Sequence, residues 1–204
     1  MDPTLLAFLK GLAVGLSIAA PVGPIGLLCI RRTLSNGWLM GLVTGLGAAT
    51  ADMVYGFVAA AGLTVVTDFL TGSRQPLQFA GGAALIWLGL VFVRAELAGD
   101  RVNSSASGFA AAYGVTFLLT LTNPATILSF AAVMAGLGAM GATGRTASLV
   151  VGVFVGSALW WLALSTGVSL IRHRLPEPTL LWINRISGAA IIVFGIAAMT
   201  SAML

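Results

Sequence analysis

The chain has 204 residues, of which 58% are hydrophobic and only 8% are charged, whereas about 25% of the residues in a soluble domain are charged. This composition excludes a water-soluble domain and predicts an integral membrane protein whose surface faces lipid. The formal charge of +4 does not indicate nucleic-acid binding, because the basic residues are scattered near predicted helix ends and form no stripe or tail.

Six apolar segments, bounded by charged residues or by clusters of Pro and Gly, predict six membrane helices. Each crossing needs about 20 apolar residues, so a chain of this length accommodates six spans and short loops. The predicted helices lie near residues 4–30, 38–66, 77–97, 108–135, 147–171 and 179–203. We expect a single transmembrane domain over residues 1–204. Its first repeat lies near 4–97, a polar linker near 98–107 and its second repeat near 108–203.

The first predicted helix is interrupted by the sequence APVGP at residues 20–24, and the fourth is interrupted by LTNP at residues 121–124. Proline removes a backbone donor and crowds the carbonyl four residues earlier, so each break frees polar groups inside the bilayer. Three crossings per half would invert the second half relative to the first. Broken helices at matching positions of inverted repeats point to a transporter's binding site. The sequence therefore predicts an all-α membrane protein of two inverted three-helix repeats, with broken first and fourth helices.

The opened helix ends suit a substrate that carries both charges, such as an amino acid. The N-terminus of a half-helix presents free N–H groups to a carboxylate, while unwound carbonyls can receive a cation. The substrate-binding residues predicted at the two breaks are Pro21, Gly23, Pro24, Thr122, Asn123 and Pro124. Thr120 is a further candidate near the second break. The alternative is that each proline only kinks its helix and that neighbouring helices repair the lost hydrogen bonds.

Asp52 is the acidic residue that lies deep within a predicted helix. A carboxylate at such a depth costs about 2.5–3.5 kcal/mol on insertion scales, so it should face the interior of the bundle. There it could alternate between binding a proton and binding an ammonium group, which would couple a proton or cation gradient to transport. The alternative is a structural carboxyl that is bonded to a neighbouring helix. Arg185, about two turns into the last helix, is expected to snorkel towards the headgroups.

The sequence contains neither an H-E-x-x-H motif nor a P-loop, and Cys29 is its single cysteine. Because no nucleophile lies at depth beside a plausible base, the residues do not predict an enzyme. We expect no cofactor and no metal site, so transport would be secondary or channel-like. The alternatives are a membrane scaffold, an uncoupled channel and a metal-ion exporter, and the last lacks the ligand cluster that most bound cations need.

The positive-inside rule predicts that the Arg-rich loops are cytoplasmic. Six arginines follow the first, third and fifth predicted helices, and two follow the second and fourth: Arg31, Arg32, Arg94, Arg101, Arg172 and Arg174, against Arg74 and Arg145. Both termini should then lie outside a multi-pass protein of the cytoplasmic (inner) membrane. No basic region precedes the first apolar segment, so we expect no cleaved signal peptide.

Three pairs of glycines are spaced four residues apart, which lets membrane helices approach closely. The pairs are Gly11/Gly15, Gly41/Gly45 and Gly152/Gly156. Close packing explains this spacing, and exposed glycine faces would also suit a homodimer. The expected partners are therefore a small zwitterion, membrane lipid and a second copy of the chain.

Three motifs, in this order, resemble the lysine exporter (LysE) family of amino-acid efflux translocators: APVGPIGLLCIRRTLSNG at 20–37, GLGAATADMVYG at 45–56 and TLTNPATILSF at 120–130. The similarity covers essentially the full chain. It implies export of amino acids or related metabolites from the cytoplasm, coupled to the membrane potential or to a proton gradient. It also implies functional roles for residues in the three motifs, namely Pro21, Gly23, Pro24, Asp52, Asn123 and Pro124.

Overall fold

The structure, a computed structural model, describes most of the chain as helix. The described residues are 2–21, 23–60, 74–94, 106–123, 126, 129–130, 143–172 and 176–203. Seven helices are assigned within them: α1 (Pro3–Ala19), α2 (Pro24–Asn36), α3 (Trp38–Ala60), α4 (Arg74–Arg94), α5 (Ala106–Leu121), α6 (Thr143–Arg172) and α7 (Glu177–Ser201). None of the described residues forms a β-strand, so the prediction of an all-α protein is confirmed for this part of the chain.

Two helices are long and apolar enough to cross a membrane alone, namely Trp38–Val58 within α3 and Arg145–Arg172 within α6. A third candidate span is the pair α1 and α2, which is bent by 79° at the break. Helices α4, α5 and α7 contain shorter apolar stretches of 10–17 residues. The described residues therefore hold two or three candidate spans, and the arrangement of six spans in two repeats stays a prediction.

The predicted break in the first helix is present, because α1 ends at Ala19 and α2 begins at Pro24. Gly23 is the extended N-cap of α2, and Pro24 is tolerated at the first helical position, where its missing N–H would have no partner. The end of this helix was predicted too early. It continues past residue 30 to Asn36 and stops at Gly37, whose φ of +96° suits a residue without a side chain.

This longer helix corrects the assignment of Arg31 and Arg32 to a loop. Both lie within α2, and Arg31 is only 8% exposed. Their charges interrupt the apolar pattern, which is why the sequence placed the helix end before them. The other boundaries lie within a few residues of the prediction, although the predicted ends at 61–66, 95–97 and 131–135 fall outside the described residues.

Helices α1 and α6 cross at backbone contact through two of the predicted glycine pairs. A Cβ atom on Gly11 would lie 2.1 Å from the carbonyl oxygen of Leu149, and one on Gly152 would lie 2.2 Å from that of Phe8. The prediction that these pairs serve close helix packing is confirmed. Because the contacts are made within one chain, these glycines do not form the exposed faces that suggested a homodimer.

A second glycine contact joins α4 to α7. A Cβ atom on Gly89 would lie 2.7 Å from the carbonyl oxygen of Gly188, and one on Gly195 would lie 2.7 Å from that of Gly82. Elsewhere α3 packs on both α5 and α6, while α2 contacts α3, α6 and α7. The short helix α2 therefore links the α4–α7 pair to the other helices.

The α1–α6 crossing predicts that Gly152→Ala destabilises the protein. The new methyl group would lie 2.2 Å from the carbonyl oxygen of Phe8, and overpacking of this kind costs about 1–3 kcal/mol. Gly167→Ala in the same helix is the control, because a Cβ atom there meets nothing within 4 Å. Thermal unfolding of both variants in one detergent checks this. Equal midpoints for the two variants would contradict the packing described.

Candidate functional site

Residues from the two predicted helix breaks meet at a small cavity of about 60 Å³, which we call the Asp52 cavity. Twelve residues from both halves of the chain line it: Ile18, Ala19, Pro21, Gly23, Ile25, Gly26, Ala48, Asp52, Thr120, Asn123, Thr126 and Trp161. At about 30 Å³ for each water, this volume corresponds to about two water molecules. Four of the seven predicted site residues thus lie together although they are far apart in sequence.

Asp52 is 3% exposed and lies on the side of α3 that faces α6. Its Oδ2 atom accepts a hydrogen bond of 2.7 Å from the hydroxyl of Ser157, which in turn accepts one of 3.1 Å from the indole Nε1 of Trp161. Gly45 makes room for this indole, because a Cβ atom there would lie 2.3 Å from the Cβ of Trp161. Asp52 therefore has a hydrogen-bond partner on a neighbouring helix and also faces the cavity.

Thr120 contributes a hydroxyl to the Asp52 cavity. The side chain is 3% exposed, and its Oγ1 atom has no hydrogen-bond partner among the residues that the structure describes. Buried hydroxyl groups are normally paired, because an unmade hydrogen bond costs free energy. Thr120 is therefore a polar group that a bound molecule could satisfy.

The backbone at the second break is partly satisfied from α3. The hydroxyl of Tyr55, one turn beyond Asp52, donates a hydrogen bond to the carbonyl oxygen of Leu121 at the end of α5. The N–H of Asn123 bonds the carbonyl of Thr120 at 3.2 Å, a tighter turn than the α-helix makes. Pro124 has no N–H to offer that carbonyl, which explains why the helix ends here.

A larger cavity of about 310 Å³, which we call the apolar cavity, lies next to the first between α2, α4, α5 and α7. Ile25 and Asn123 line both cavities. Pro24 and Thr122, predicted to bind substrate, face the apolar cavity. The hydroxyl of Thr122 bonds back to the carbonyls of Leu118 and Leu119. Pro124 lies outside the described residues.

Arg32 is a residue whose role the sequence did not reveal. Its Nη1 atom donates to the hydroxyls of Thr44 and Thr116 at 3.1 and 3.2 Å, and to the carbonyl of Ala112 at 3.0 Å. One guanidinium group thus joins α2 to α3 and α5. In the sequence, Thr44 and Thr116 on two other predicted helices are the residues that could have indicated this role. Their importance can be recognised only when it is known that these helices pack beside α2. By contrast, Arg185 is exposed on α7.

The described residues contain no group of three His, Cys, Asp or Glu side chains that could hold a metal ion. Among the described residues around it, Asp52 is accompanied by hydroxyl, amide and indole groups and by no second carboxylate, His or Cys. These groups can form hydrogen bonds around one carboxyl group.

The contact between Tyr55 and the end of α5 predicts that Tyr55→Phe destabilises the protein by about 0.5–1.5 kcal/mol, because the carbonyl of Leu121 loses its donor. Tyr113→Phe is the matched control. Tyr113 donates to the hydroxyl of Thr50, which itself still donates to the carbonyl of Leu46. Thermal unfolding should show the larger loss for Tyr55→Phe. A larger loss for Tyr113→Phe would refute this interpretation of the break.

Known proteins resemble this chain over most of its length. The chain is 28% identical over 196 residues to the putative amino acid efflux protein YcgF of Bacillus subtilis, with 92% of each chain covered. It is 27% identical to the uncharacterized membrane protein YahN of Escherichia coli (96% of this chain, 90% of the relative) and 23% identical to the lysine exporter LysE of Corynebacterium efficiens (93% and 96%). No solved structure matches the chain. The match to the family described as LysE type translocator runs over residues 16–202, and the chain is therefore a membrane protein that belongs to this family.

Proposed function

We propose that this protein is a secondary transporter that exports amino acids or related small metabolites across the cytoplasmic membrane. The observation that carries the proposal is the Asp52 cavity, in which a buried carboxyl group lies near both the break before α2 and the end of α5. The names of two relatives, an amino acid efflux protein and a lysine exporter, support the direction of transport and the class of substrate.

The cavity has groups for both charges of a zwitterion. Ile25 and Gly26 line it in the first turn of α2, where backbone N–H groups have no partner within the helix and the helix dipole favours an anion. The substrate's carboxylate binds at this helix end, and its ammonium group binds near Asp52. The hydroxyl of Thr120, which has no partner within the described part of the chain, and the side chain of Asn123 complete the hydrogen bonding.

Asp52 also couples transport to a gradient. When the ammonium group leaves, a proton takes its place on the carboxyl group, and Ser157 holds the side chain in position through its hydrogen bond to Oδ2. One proton moving inward through 100 mV releases about 2.3 kcal/mol, which is enough for a modest outward substrate gradient. A single coupling carboxyl group therefore suffices.

The two halves form inverted repeats that alternate access around this site. In support, α1 of the first half packs on α6 of the second, just as α5 of the second packs on α3 of the first. The equivalent helices α3 and α6 contact each other, and so do α4 and α7. Such an exchange of partners is expected when two copies of one motif are related by a two-fold axis in the membrane plane.

A membrane scaffold would need no cavity at the breaks, so the Asp52 cavity favours transport over that alternative. Large apolar side chains on several helices, such as Trp87, Leu118 and Leu170, are more than 60% exposed and would face lipid. A homodimer would have to use surfaces of this kind, because the glycine pairs pack within the chain.

Asp52→Asn is predicted to abolish gradient-driven transport, because an amide cannot take up and release a proton. The experiment reconstitutes the native chain in liposomes and measures counterflow and gradient-driven uptake for a panel of radiolabelled amino acids. Asp2→Asn is the control, since Asp2 is an exposed N-cap and asparagine caps helices equally well.

Saturable counterflow of at least one amino acid by the native chain and by Asp2→Asn is the expected result. Gradient-driven uptake should fall to background in Asp52→Asn alone. Unchanged gradient-driven uptake in that variant would show that Asp52 does not couple transport to the gradient. A folded native protein that exchanges no amino acid of the panel would overturn the proposed function.

The proposed topology, with both termini outside, predicts the side on which an introduced cysteine reacts. Asp2→Cys should label with a membrane-impermeant maleimide in intact cells, whereas Pro176→Cys, on a cytoplasmic loop, should label only after the membrane is opened. Both positions are exposed, and the native Cys29 is fully buried, so it gives little background. The reverse labelling pattern would show that the protein has the opposite orientation, with both termini in the cytoplasm.

A further inference from the structure

The apolar cavity contains a buried polar group that the proposed mechanism does not use. Gln78, in the second turn of α4, is 2% exposed and lines this cavity. Its Oε1 atom has no hydrogen-bond partner among the described residues. A buried acceptor without a donor is unfavourable, so a molecule that brings an N–H or O–H group to this position would bind better than one that does not.

The apolar cavity adjoins the Asp52 cavity, because Ile25 and Asn123 line both. The smaller cavity, of about 60 Å³, has the polar groups for a zwitterion, while the larger one, of about 310 Å³, has mainly apolar walls. One amino acid could therefore place its charged end beside Asp52 and its side chain in the apolar cavity.

The walls of the apolar cavity restrict that side chain. None of the described residues that line it is charged, so a lysine ammonium or a glutamate carboxylate would lose its hydration without gaining an oppositely charged partner. Small side chains would leave most of the volume empty. Phe194 contributes an aromatic ring to the wall, and aromatic rings pack favourably on one another.

We propose, on the basis of the proposed function, that the preferred substrates are aromatic amino acids with one hydrogen-bond donor, tyrosine or tryptophan. The aromatic side chain occupies the apolar cavity, and its hydroxyl or indole N–H donates to Oε1 of Gln78. Buried Tyr and Trp side chains normally find such a partner. Gln78 is thus a specificity-determining residue on a helix outside the Asp52 cavity.

Tyrosine and phenylalanine provide the sharpest test, because they differ by the hydroxyl group alone. Binding of radiolabelled tyrosine to the purified chain is measured in competition with phenylalanine, leucine and lysine. The native chain should bind tyrosine about ten-fold more tightly than phenylalanine, and lysine least of all. Gln78→Met should bring the ratio of the tyrosine and phenylalanine affinities close to one, because the variant keeps the side-chain length and loses the acceptor.

Gln75→Met is the matched control, since Gln75 lies on the same helix but is exposed. It should leave the ratio unchanged. If Gln78→Met does not fold, the affinities of the native chain for tyrosine and phenylalanine are sufficient to test the inference. Equal affinities for these two amino acids, or a preference for lysine, would overturn this inference and leave amino-acid transport in place. Failure to bind any amino acid, including those of the transport panel, would instead refute the proposed function.

Discussion

The central constraint on this structure is that backbone polar groups freed by proline inside the bilayer must find partners. At the second break the protein supplies two: Tyr55 donates to the last carbonyl of α5, and Asn123 closes a tighter turn on Thr120. At the first break, the opening turn of α2 lines a cavity instead. The same chemistry that ends the helices therefore creates a small polar space in an apolar protein.

Close backbone contact places that space where the two halves meet. Glycines allow α1 to cross α6 and α4 to cross α7 with their backbones in contact. With α3 also packed on α6, Asp52 comes within hydrogen-bond distance of Ser157, which is 105 residues later in the chain. The cavity is thus a property of the helix packing and would not exist in any single helix.

Sequence reasoning found the features that follow from local chemistry. Pro24 predicts the break before α2 because proline cannot continue a helix, and Asp52 is predicted to be buried because an isolated carboxylate avoids lipid. The sequence-based prediction placed Arg31 and Arg32 in a loop, because their charges were taken to mark the end of the helix. It also did not single out Ser157, since a serine in an apolar helix has no distinctive pattern until its partner is known.

The sequence by itself predicted an all-helical membrane protein with helix breaks at its APVGP and LTNP motifs and one deep carboxyl group, because composition and proline geometry act over a few residues. Only the tertiary structure decided which groups surround that carboxyl. It divided the predicted site residues between two cavities, with Asn123 shared and Pro24 and Thr122 in the apolar one. It also brought Gln78 beside them. The reason is physical: cavity shape and hydrogen-bond partners depend on helix crossings between residues far apart in the chain, which no local pattern encodes.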